Sequence, residues 1–426
     1  MLGGYGFIGH EVCRRLITRG HAVIAIGRST RYGRRFAPEA EWRGADIATL
    51  TTPEHWAPLI HGVQAVVNAS GALQDGLRDN LAAVQDRAIR ALVAACEAGG
   101  VRRFVQISAP GADTSSDTSF LQTKAAADNA LKASTLDWVV LRPGLVWGRT
   151  AFGGTALVRM LSAFPVLQPI VLAESRVQMV DIEDVCAAVE ASVESAVFVR
   201  QDIDLVEPTT HSLAELIARV RVWHGFAPAR AELRVPGVVG ALMASAGDLA
   251  GWLGWRSPLR TTSLRSMASG VTGDSTAWRA LSGADAASLD AMLLRRPAVR
   301  QDRVFARTQL LLPLIVLCLA AYWIASGVIG LWRLNDAVAA QAGATGDWAH
   351  KLVIGGAVVD IALGLGLLWR PWARAACLGM IALTGAYLIF GTAFTPHLWV
   401  DPLGPFVKTL PAAILALVCA ALLEER

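Results

Sequence analysis

Charged side chains are scarce in this sequence of 426 residues, where Asp, Glu, Lys and Arg together make up 17%. Ordinary soluble proteins contain about 25%. Hydrophobic residues reach 54%, which excludes a disordered chain and argues against a wholly soluble one. The net charge is only +4, and the sequence lacks a dense basic run with interleaved aromatic residues. We therefore expect no nucleic-acid partner.

The sequence also lacks cysteine pairs with the spacing of a zinc site or a dithiol redox motif. Its six cysteines are widely scattered; they are Cys13, Cys96, Cys186, Cys318, Cys377 and Cys419. This pattern favours small apolar side chains in a reducing compartment. It predicts neither a disulfide framework nor a metal site.

Four long apolar stretches lie after residue 307. The four stretches that are long enough to cross a bilayer are Leu310–Trp332, Leu352–Trp369, Ala375–Thr395 and Leu403–Leu423. Each approaches or exceeds the ~20 residues that a spanning helix needs. Residues 308–426 are therefore predicted to form an all-α transmembrane domain with four helices.

A further apolar segment covers residues 235–255, but it contains Pro236 and Asp248. Two interpretations stay open: a fifth membrane segment, or a helix that lies on the membrane surface or packs on the soluble domain. The second is favoured, because proline and aspartate weaken a spanning helix. Residues 231–307 are interpreted as a connector.

Arginine placement predicts the orientation of the membrane domain, since cytoplasmic loops carry an excess of basic residues. Arginines precede the first span, separate the second from the third, and end the chain; they are Arg295, Arg296, Arg300, Arg303, Arg307, Arg370, Arg374 and Arg426. We expect a multi-pass protein of the inner (cytoplasmic) membrane. Its N-terminal domain and its C-terminus would both lie in the cytoplasm.

The chain opens with a glycine pattern formed by Gly3, Gly6 and Gly9, followed by a helical segment and the strand-like residues 22–26. Glycines at this point allow backbone to approach a pyrophosphate, whose charge is held at the helix N-terminus. The order predicts an α/β Rossmann-type, doubly wound parallel sheet over residues 1–230. Only Met1 and Leu2 stand where the first strand belongs. We therefore expect a truncated first strand and a natural start codon upstream.

The end of the second strand indicates the cofactor. Sites that prefer NAD place an acidic residue there, which binds the ribose hydroxyls. This chain has Arg28 instead, and a guanidinium suits a ribose phosphate, so NADP(H) is favoured over NAD(H). Asp46 is predicted to contact the adenine end, and Asn68 to lie beside the cofactor.

Residues 104–111, 119–124, 138–148 and 177–184 resemble the atypical NAD(P)H-binding branch of the short-chain dehydrogenase/reductase superfamily, near the nucleotide-binding accessory subunit of respiratory complex I. The resemblance implies that Ser108 and Lys124 match the catalytic Ser and Lys, and that Lys124 holds the nicotinamide ribose. The usual catalytic Tyr is replaced by Phe120. A phenyl ring has no ionisable proton, which puts ordinary carbonyl reduction in doubt.

Residues 308–426 are similar to the DoxX-like family of four-helix membrane domains, some of which belong to quinone-linked redox complexes. Asp360 interrupts the second predicted span. An ionisable group within the bilayer is costly, so it is a functional candidate. A helix–helix hydrogen bond to Tyr322, Ser326 or Thr384 is the alternative.

Three functions remain open from the sequence. The first is a membrane-anchored oxidoreductase that passes hydride from NADP(H) to a small or membrane-dissolved acceptor, with a quinone suggested by the family resemblance. The second is a non-catalytic NADP(H)-binding module with a structural or sensing role in a membrane complex. The third, an epimerase or dehydratase of nucleotide sugars, also needs the tyrosine that this chain lacks.

Overall fold

The structure is a computed structural model that describes residues 1–71, 75–76, 80–255, 257, 259–339, 347–402 and 404–423. Leu403 and Arg426, used in the predictions above, lie outside these residues. The chain divides into two compact units. The first unit consists of Met1–Leu249 and Ser257–Arg303, and the second of Ala250–Arg256 and Val304–Arg426. The predicted domain limits at residues 230 and 307 stay a prediction.

The β-strands of the described residues all lie in the first unit. They are β1 (Ile24–Gly27), β2 (Glu41–Gly44), β3 (Ala65–Asn68), β4 (Arg103–Ile107), β5 (Asp137–Pro143), β6 (Leu145–Trp147), β7 (Leu167–Ile170), β8 (Arg176–Val177), β9 (Met179–Asp181), β10 (Gln201–Leu205), β11 (His211–Ser212) and β12 (Ala231–Arg234).

The α-helices are α1 (Phe7–Thr18), α2 (Thr30–Phe36), α3 (Pro53–Ile60), α4 (Ala88–Ala98), α5 (Ser119–Lys132), α6 (Gly153–Ser162), α7 (Ile182–Glu194), α8 (Leu213–Trp223), α9 (Gly237–Trp252), α10 (Thr261–Ala268), α11 (Thr276–Ser282), α12 (Leu289–Arg295), α13 (Arg300–Trp332), α14 (Leu334–Ala339), α15 (Asp347–Leu368), α16 (Arg370–Phe394) and α17 (Pro405–Leu422). A π-helix covers Ala82–Arg87, and short 3₁₀ helices cover Ile47–Thr49, Ala196–Phe198 and Pro396–Trp399.

The central sheet is parallel, and Leu2 joins its two parts. Strands β10, β5, β4 and β3 pair in that order, and β1 pairs with β2. Leu2 bridges Ile26 of β1 and Asn68 of β3, and its N–H donates to the carbonyl of Val67 over 2.9 Å. The order is therefore β2-β1-Leu2-β3-β4-β5-β10. This topology confirms the predicted Rossmann-type fold.

Side chains on the two faces of the sheet build separate cores, because both faces are covered by helices. On one face Val66, Phe104 and Val140 pack with residues of α3, α4 and α5. On the other face Val105 and Val139 pack with α1 and α7. Each of β3, β4 and β5 contains adjacent apolar residues, such as Val66 and Val67 of β3, which reflects this double burial.

The second unit is all-helical, and four of its described helices are long and apolar enough to cross a membrane: α13, α15, α16 and α17. The number agrees with the four predicted spans. Helix α9 is not among them, since its 16 residues extend about 24 Å, less than the ~30 Å of the hydrocarbon core. The fifth-span alternative is therefore not supported.

Glycines bring α13 and α15 into close contact. A Cβ on Gly327 of α13 would lie 2.4 Å from the carbonyl oxygen of Ala357, and one on Gly364 of α15 would lie 3.0 Å from that of Ala320. Small residues permit such backbone approach between membrane helices.

Candidate functional site

The three predicted glycines form one tight turn between Leu2 and α1. Gly3 has a φ of +70°, and its carbonyl accepts a hydrogen bond from the N–H of Gly6 over 2.8 Å. A Cβ on Gly9 would lie 2.1 Å from the Gly3 oxygen, and one on Gly3 would lie 2.8 Å from the Ala69 oxygen. Only glycine fits these positions without a backbone shift.

The turn leads directly into the N-terminus of α1. Gly6 is the N-cap, no side chain caps the helix, and the first turn contains no acidic residue. Uncapped N–H groups and the helix dipole together favour an anion at this point. The turn and the helix start therefore fit the pyrophosphate of a nicotinamide dinucleotide.

Arg28 follows β1 at the same edge of the sheet, and its side chain is exposed. Its backbone N–H donates to the Tyr5 hydroxyl over 3.0 Å. Tyr5 stacks on Trp42, with ring centroids 5.7 Å apart. Tyr5 thus ties the glycine turn to the residue predicted to select the cofactor. Sequence reasoning missed this role, although an aromatic residue inside the glycine pattern is the visible signal.

Asp46 is exposed and caps the short helix Ile47–Thr49, since its Oδ1 accepts from the N–H of Ala48 over 3.1 Å. Its contact with the adenine end stays a prediction.

Asn68 is 1% exposed at the end of β3. Its Nδ2 donates to Oε1 of Gln106 over 2.8 Å, and its Oδ1 accepts from both the N–H and the hydroxyl of Ser70. The side chain therefore fixes the turn after β3. A Cβ on Gly71 in that turn would lie 3.5 Å from Nζ of Lys124, which places the turn beside the predicted catalytic lysine.

Lys124 points inward from α5 and is 6% exposed. Its Nζ donates to the carbonyl of Ile107 over 2.7 Å. Burial lowers the pKa of this lysine to about 8, and the nearby Asp128 offsets part of the effect. A lysine with a pKa near neutrality can both donate a hydrogen bond and exchange a proton.

Ser108 follows β4, and its hydroxyl lies 2.5 Å from Oδ2 of Asp128. Asp128 is 1% exposed, and burial raises the pKa of its carboxyl group above the usual range. Sequence reasoning missed Asp128. The signal is its position four residues after Lys124, which places both on one face of α5.

Phe120 is half-buried and precedes Lys124 by one turn of α5. It is therefore on the same helix face as Lys124. Its ring adds apolar surface there and no proton donor.

Asp360 lies in the second unit and is 6% exposed. Its Oδ2 accepts from the Ser326 hydroxyl over 2.9 Å, and its Oδ1 accepts from the Tyr387 hydroxyl over 3.2 Å. Asp360 thereby joins α13, α15 and α16. Ser326 was predicted as a hydrogen-bond partner of Asp360 and is one, whereas Thr384 donates to the carbonyl of Met380 instead. The contact with Tyr387 was not predicted from the sequence. A functional role for Asp360 stays a prediction.

The fold and the glycine turn define a dinucleotide-binding Rossmann domain, joined to a helical domain of membrane type. Residues 3–163 match the family model described as NAD(P)H-binding, and residues 320–417 match the model of the DoxX-like family. One part of the protein therefore resembles NAD(P)H-binding domains, and a second part resembles the DoxX-like family.

Two curated relatives are reductases. Ceramide reductase of Caulobacter vibrioides is 24% identical over 243 residues, which are 56% of this chain and 74% of the relative. The 2-alkyl-3-oxoalkanoate reductase of Stenotrophomonas maltophilia is 31% identical over 170 residues, or 34% of this chain. The match spans half the length of that second relative.

Solved structures agree with the fold. The NADPH-dependent quinone oxidoreductase of Escherichia coli has a TM-score of 0.53 at 18% identity, covering 69% of this chain and 98% of the other. UDP-glucose 4-epimerase of Thermotoga maritima has a TM-score of 0.52 at 17% identity, covering 72% and 98%. At these identities the likeness shows the fold alone.

Proposed function

We propose that this protein is a membrane-anchored oxidoreductase that transfers a hydride from NADP(H) to a small or membrane-dissolved acceptor, with a quinone as the favoured class. The observation that carries the proposal is the buried group Ser108, Lys124 and Asp128 at the sheet edge that also holds the glycine turn. Gly3, Gly71 and Ser108 all follow the carboxyl ends of parallel strands, where Rossmann-type proteins bind their ligands.

Each part of the site has a distinct task. The bound cofactor supplies the hydride. The glycine turn and the N-terminus of α1 hold its pyrophosphate, and Lys124 holds its nicotinamide ribose. Phe120 gives the acceptor an apolar surface in place of the hydroxyl that a tyrosine would provide.

NADP(H) is favoured because Arg28 is exposed just after β1, and because Arg31, Arg34 and Arg35 of the following helix α2 are also exposed. Guanidinium groups bind a ribose phosphate as bidentate donors. An acidic side chain at this point would instead favour NAD(H).

Two observations support a quinone-like acceptor. The four apolar helices of the second unit would hold the protein in the bilayer, where lipid quinones dissolve. The name of the Escherichia coli neighbour refers to quinone reduction. The anion formed when a quinone accepts hydride is a weaker base than an alkoxide, so a quinone needs a weaker proton donor than the tyrosine that Phe120 replaces.

The second candidate is a non-catalytic NADP(H)-binding module with a structural or sensing role in a membrane complex. The hydrogen bond from Lys124 to the Ile107 carbonyl favours it, because a lysine bound to its own backbone is less free to serve a ligand. The epimerase or dehydratase interpretation ranks third, since that chemistry needs the missing tyrosine.

The test follows NADPH oxidation by the full chain in mild detergent, with a soluble quinone analogue as acceptor. We expect turnover that falls at least tenfold in Lys124→Ala. We expect Gly9→Ala to lose nucleotide binding, because its Cβ would overlap the Gly3 oxygen. Gly237→Ala is the matched control, since a Cβ there meets nothing within 4 Å.

Nucleotide binding without turnover, for quinone and carbonyl acceptors alike, would move the assignment to the non-catalytic module. The same titration with NADH tests Arg28. Tighter binding of NADH than of NADPH would overturn the proposed cofactor preference.

A further inference from the structure

The side chains of Asp128 and Ser108 form a buried pair in which the two oxygens share a hydrogen bond. Ser108 is 5% and Asp128 1% exposed, and the Oγ–Oδ2 distance is 2.5 Å. Within the residues that the structure describes, Oδ1 of Asp128 is buried without a hydrogen-bond partner. An ionised carboxylate buried with one oxygen unpaired carries a large desolvation cost, which protonation removes.

The neighbouring positive charges offset only part of the desolvation cost of an ionised Asp128. Arg142 of β5 lies 3.8 Å from Asp128 but 3.1 Å from Asp202 of β10, and Lys132 also pairs with Asp202. Lys124 directs its amine to the Ile107 carbonyl. Burial is the main influence on the pKa of the Asp128 carboxyl group and raises it, and Asp202 adds to the rise. The hydrogen bond with Ser108 opposes the rise most strongly, followed by Lys124 and Arg142.

We propose that Asp128 is protonated at neutral pH and donates its hydrogen to Ser108 Oγ, and that this pair delivers the proton that a phenol at position 120 would deliver. The inference rests on the proposed function and narrows its acceptor class. The acceptor is one whose oxygen must take up a proton after reduction, as in a carbonyl compound or a quinone.

The step balances in atoms and charge. An acceptor C=O that has gained a hydride becomes an oxyanion, and the Oγ–H bond of Ser108 breaks as the new O–H bond forms. The O–H bond of Asp128 then breaks, and its proton restores the Ser108 hydroxyl. Asp128 is left as a carboxylate and takes a proton from solvent before the next turnover. Asp128 is a positioning and proton-supplying residue, since it acts through Ser108.

Infrared difference spectroscopy tests the protonation state without turnover. Wild type minus Asp128→Asn, recorded at neutral pH on the full chain in detergent, should show the C=O band of a protonated carboxyl group. In Ser108→Ala that band should persist and move to higher frequency, because the acid loses its hydrogen-bond acceptor. Carboxylate bands in place of the C=O band would overturn the proposal.

Two hydride acceptors test the role of Asp128 in proton transfer. Reduction of the quinone analogue should fall at least tenfold in Asp128→Asn. Reduction of N-methylacridinium, a cation that accepts hydride and needs no proton, should fall by a much smaller factor in the same variant. The matched control is Asp137→Asn, which removes a carboxylate from an ion pair with the exposed Arg102.

The pH profile separates a proton source from a merely structural carboxyl group. Quinone reduction by wild type should fall as the pH rises through the Asp128 pKa, and Asp128→Asn should lose that dependence. Equal losses with both acceptors, or an unchanged pH profile, would overturn the relay and leave the oxidoreductase standing. Absence of wild-type turnover with every acceptor would overturn the oxidoreductase itself.

Discussion

Lys124 shows how much of a residue's chemistry depends on its surroundings. The sequence predicted a catalytic lysine from its motif. The structure adds that the side chain is buried and that its amine donates to the Ile107 carbonyl. Asp128, one turn along α5, was visible in the sequence only as one more acidic residue. Its contact with Ser108 depends on the packing of α5 against β4.

The buried lysine predicts a pH-dependent stability. Its pKa falls from 10.5 to about 8 on folding, so between these values the unfolded chain binds more protons and stability rises with pH. Below pH 8 the folded chain bears the full free-energy cost of burying the charged amine. This cost is about 3 kcal/mol, at 1.36 kcal/mol per unit of pKa shift. The difference between the thermal unfolding midpoints of wild type and Lys124→Met should therefore change with pH. The variant's midpoint relative to wild type should be highest near pH 7 and should fall by pH 10.

Lys132→Met removes a lysine from the same helix, outside the buried site, and serves as the control. A difference between wild type and Lys124→Met that stays constant from pH 7 to pH 10 would contradict the prediction.

The elements around the site are held by contacts that no local pattern predicts. Arg159 of α6 is 2% exposed and donates to the carbonyls of Gly148 and Arg149, over 2.7 and 3.2 Å. Its guanidinium lies 4.3 Å from the Trp147 ring and 3.7 Å from Asp302 of α13. Arg159 therefore fixes the loop after β6, whose first residue, Gly148, is the last residue of the family-like segment 138–148.

Arg159→Met should loosen this loop, because it leaves two backbone carbonyls without their donor and removes the positive charge beside Asp302. We expect a loss of about 3 kcal/mol in unfolding free energy, the usual range for breaking a buried charged network. Hydrogen exchange should rise over residues 145–155, and the thermal midpoint should fall. The control is Arg234→Met, which removes an exposed ion pair with Glu174 and should change neither the hydrogen exchange nor the thermal midpoint. Equal effects of the two variants would contradict the role of Arg159 in fixing the loop.

At the scale of the whole molecule, the chain combines a domain that matches the NAD(P)H-binding family model with four helices that are long and apolar enough to cross a membrane. Arginine placement supports a proposal for its orientation, with the first unit in the cytoplasm. His397 lies between α16 and α17, on the side predicted to face away from the cytoplasm, and is exposed.

Cysteine labelling in intact cells tests this orientation. Cys318 is the exposed cysteine of the six and the others are buried, so Cys318→Ala gives a quiet background. A membrane-impermeant maleimide should label His397→Cys and should not label Ser115→Cys in the first unit, until the cells are permeabilised. The opposite labelling would reverse the proposed orientation.

The sequence by itself determined the Rossmann-type class, the glycine turn, the number of apolar helices and the missing tyrosine. These features depend on local spacing, on apolar periodicity and on the steric freedom of glycine, which are properties of residues close together in the sequence. The tertiary structure decided that Leu2 completes the sheet, that Tyr5 supports Arg28, that Asp128 contacts Ser108 and that Tyr387 reaches Asp360. Each of these pairs joins elements whose separation depends on strand order and helix packing, and a hydrogen bond requires a distance that only the packed fold specifies.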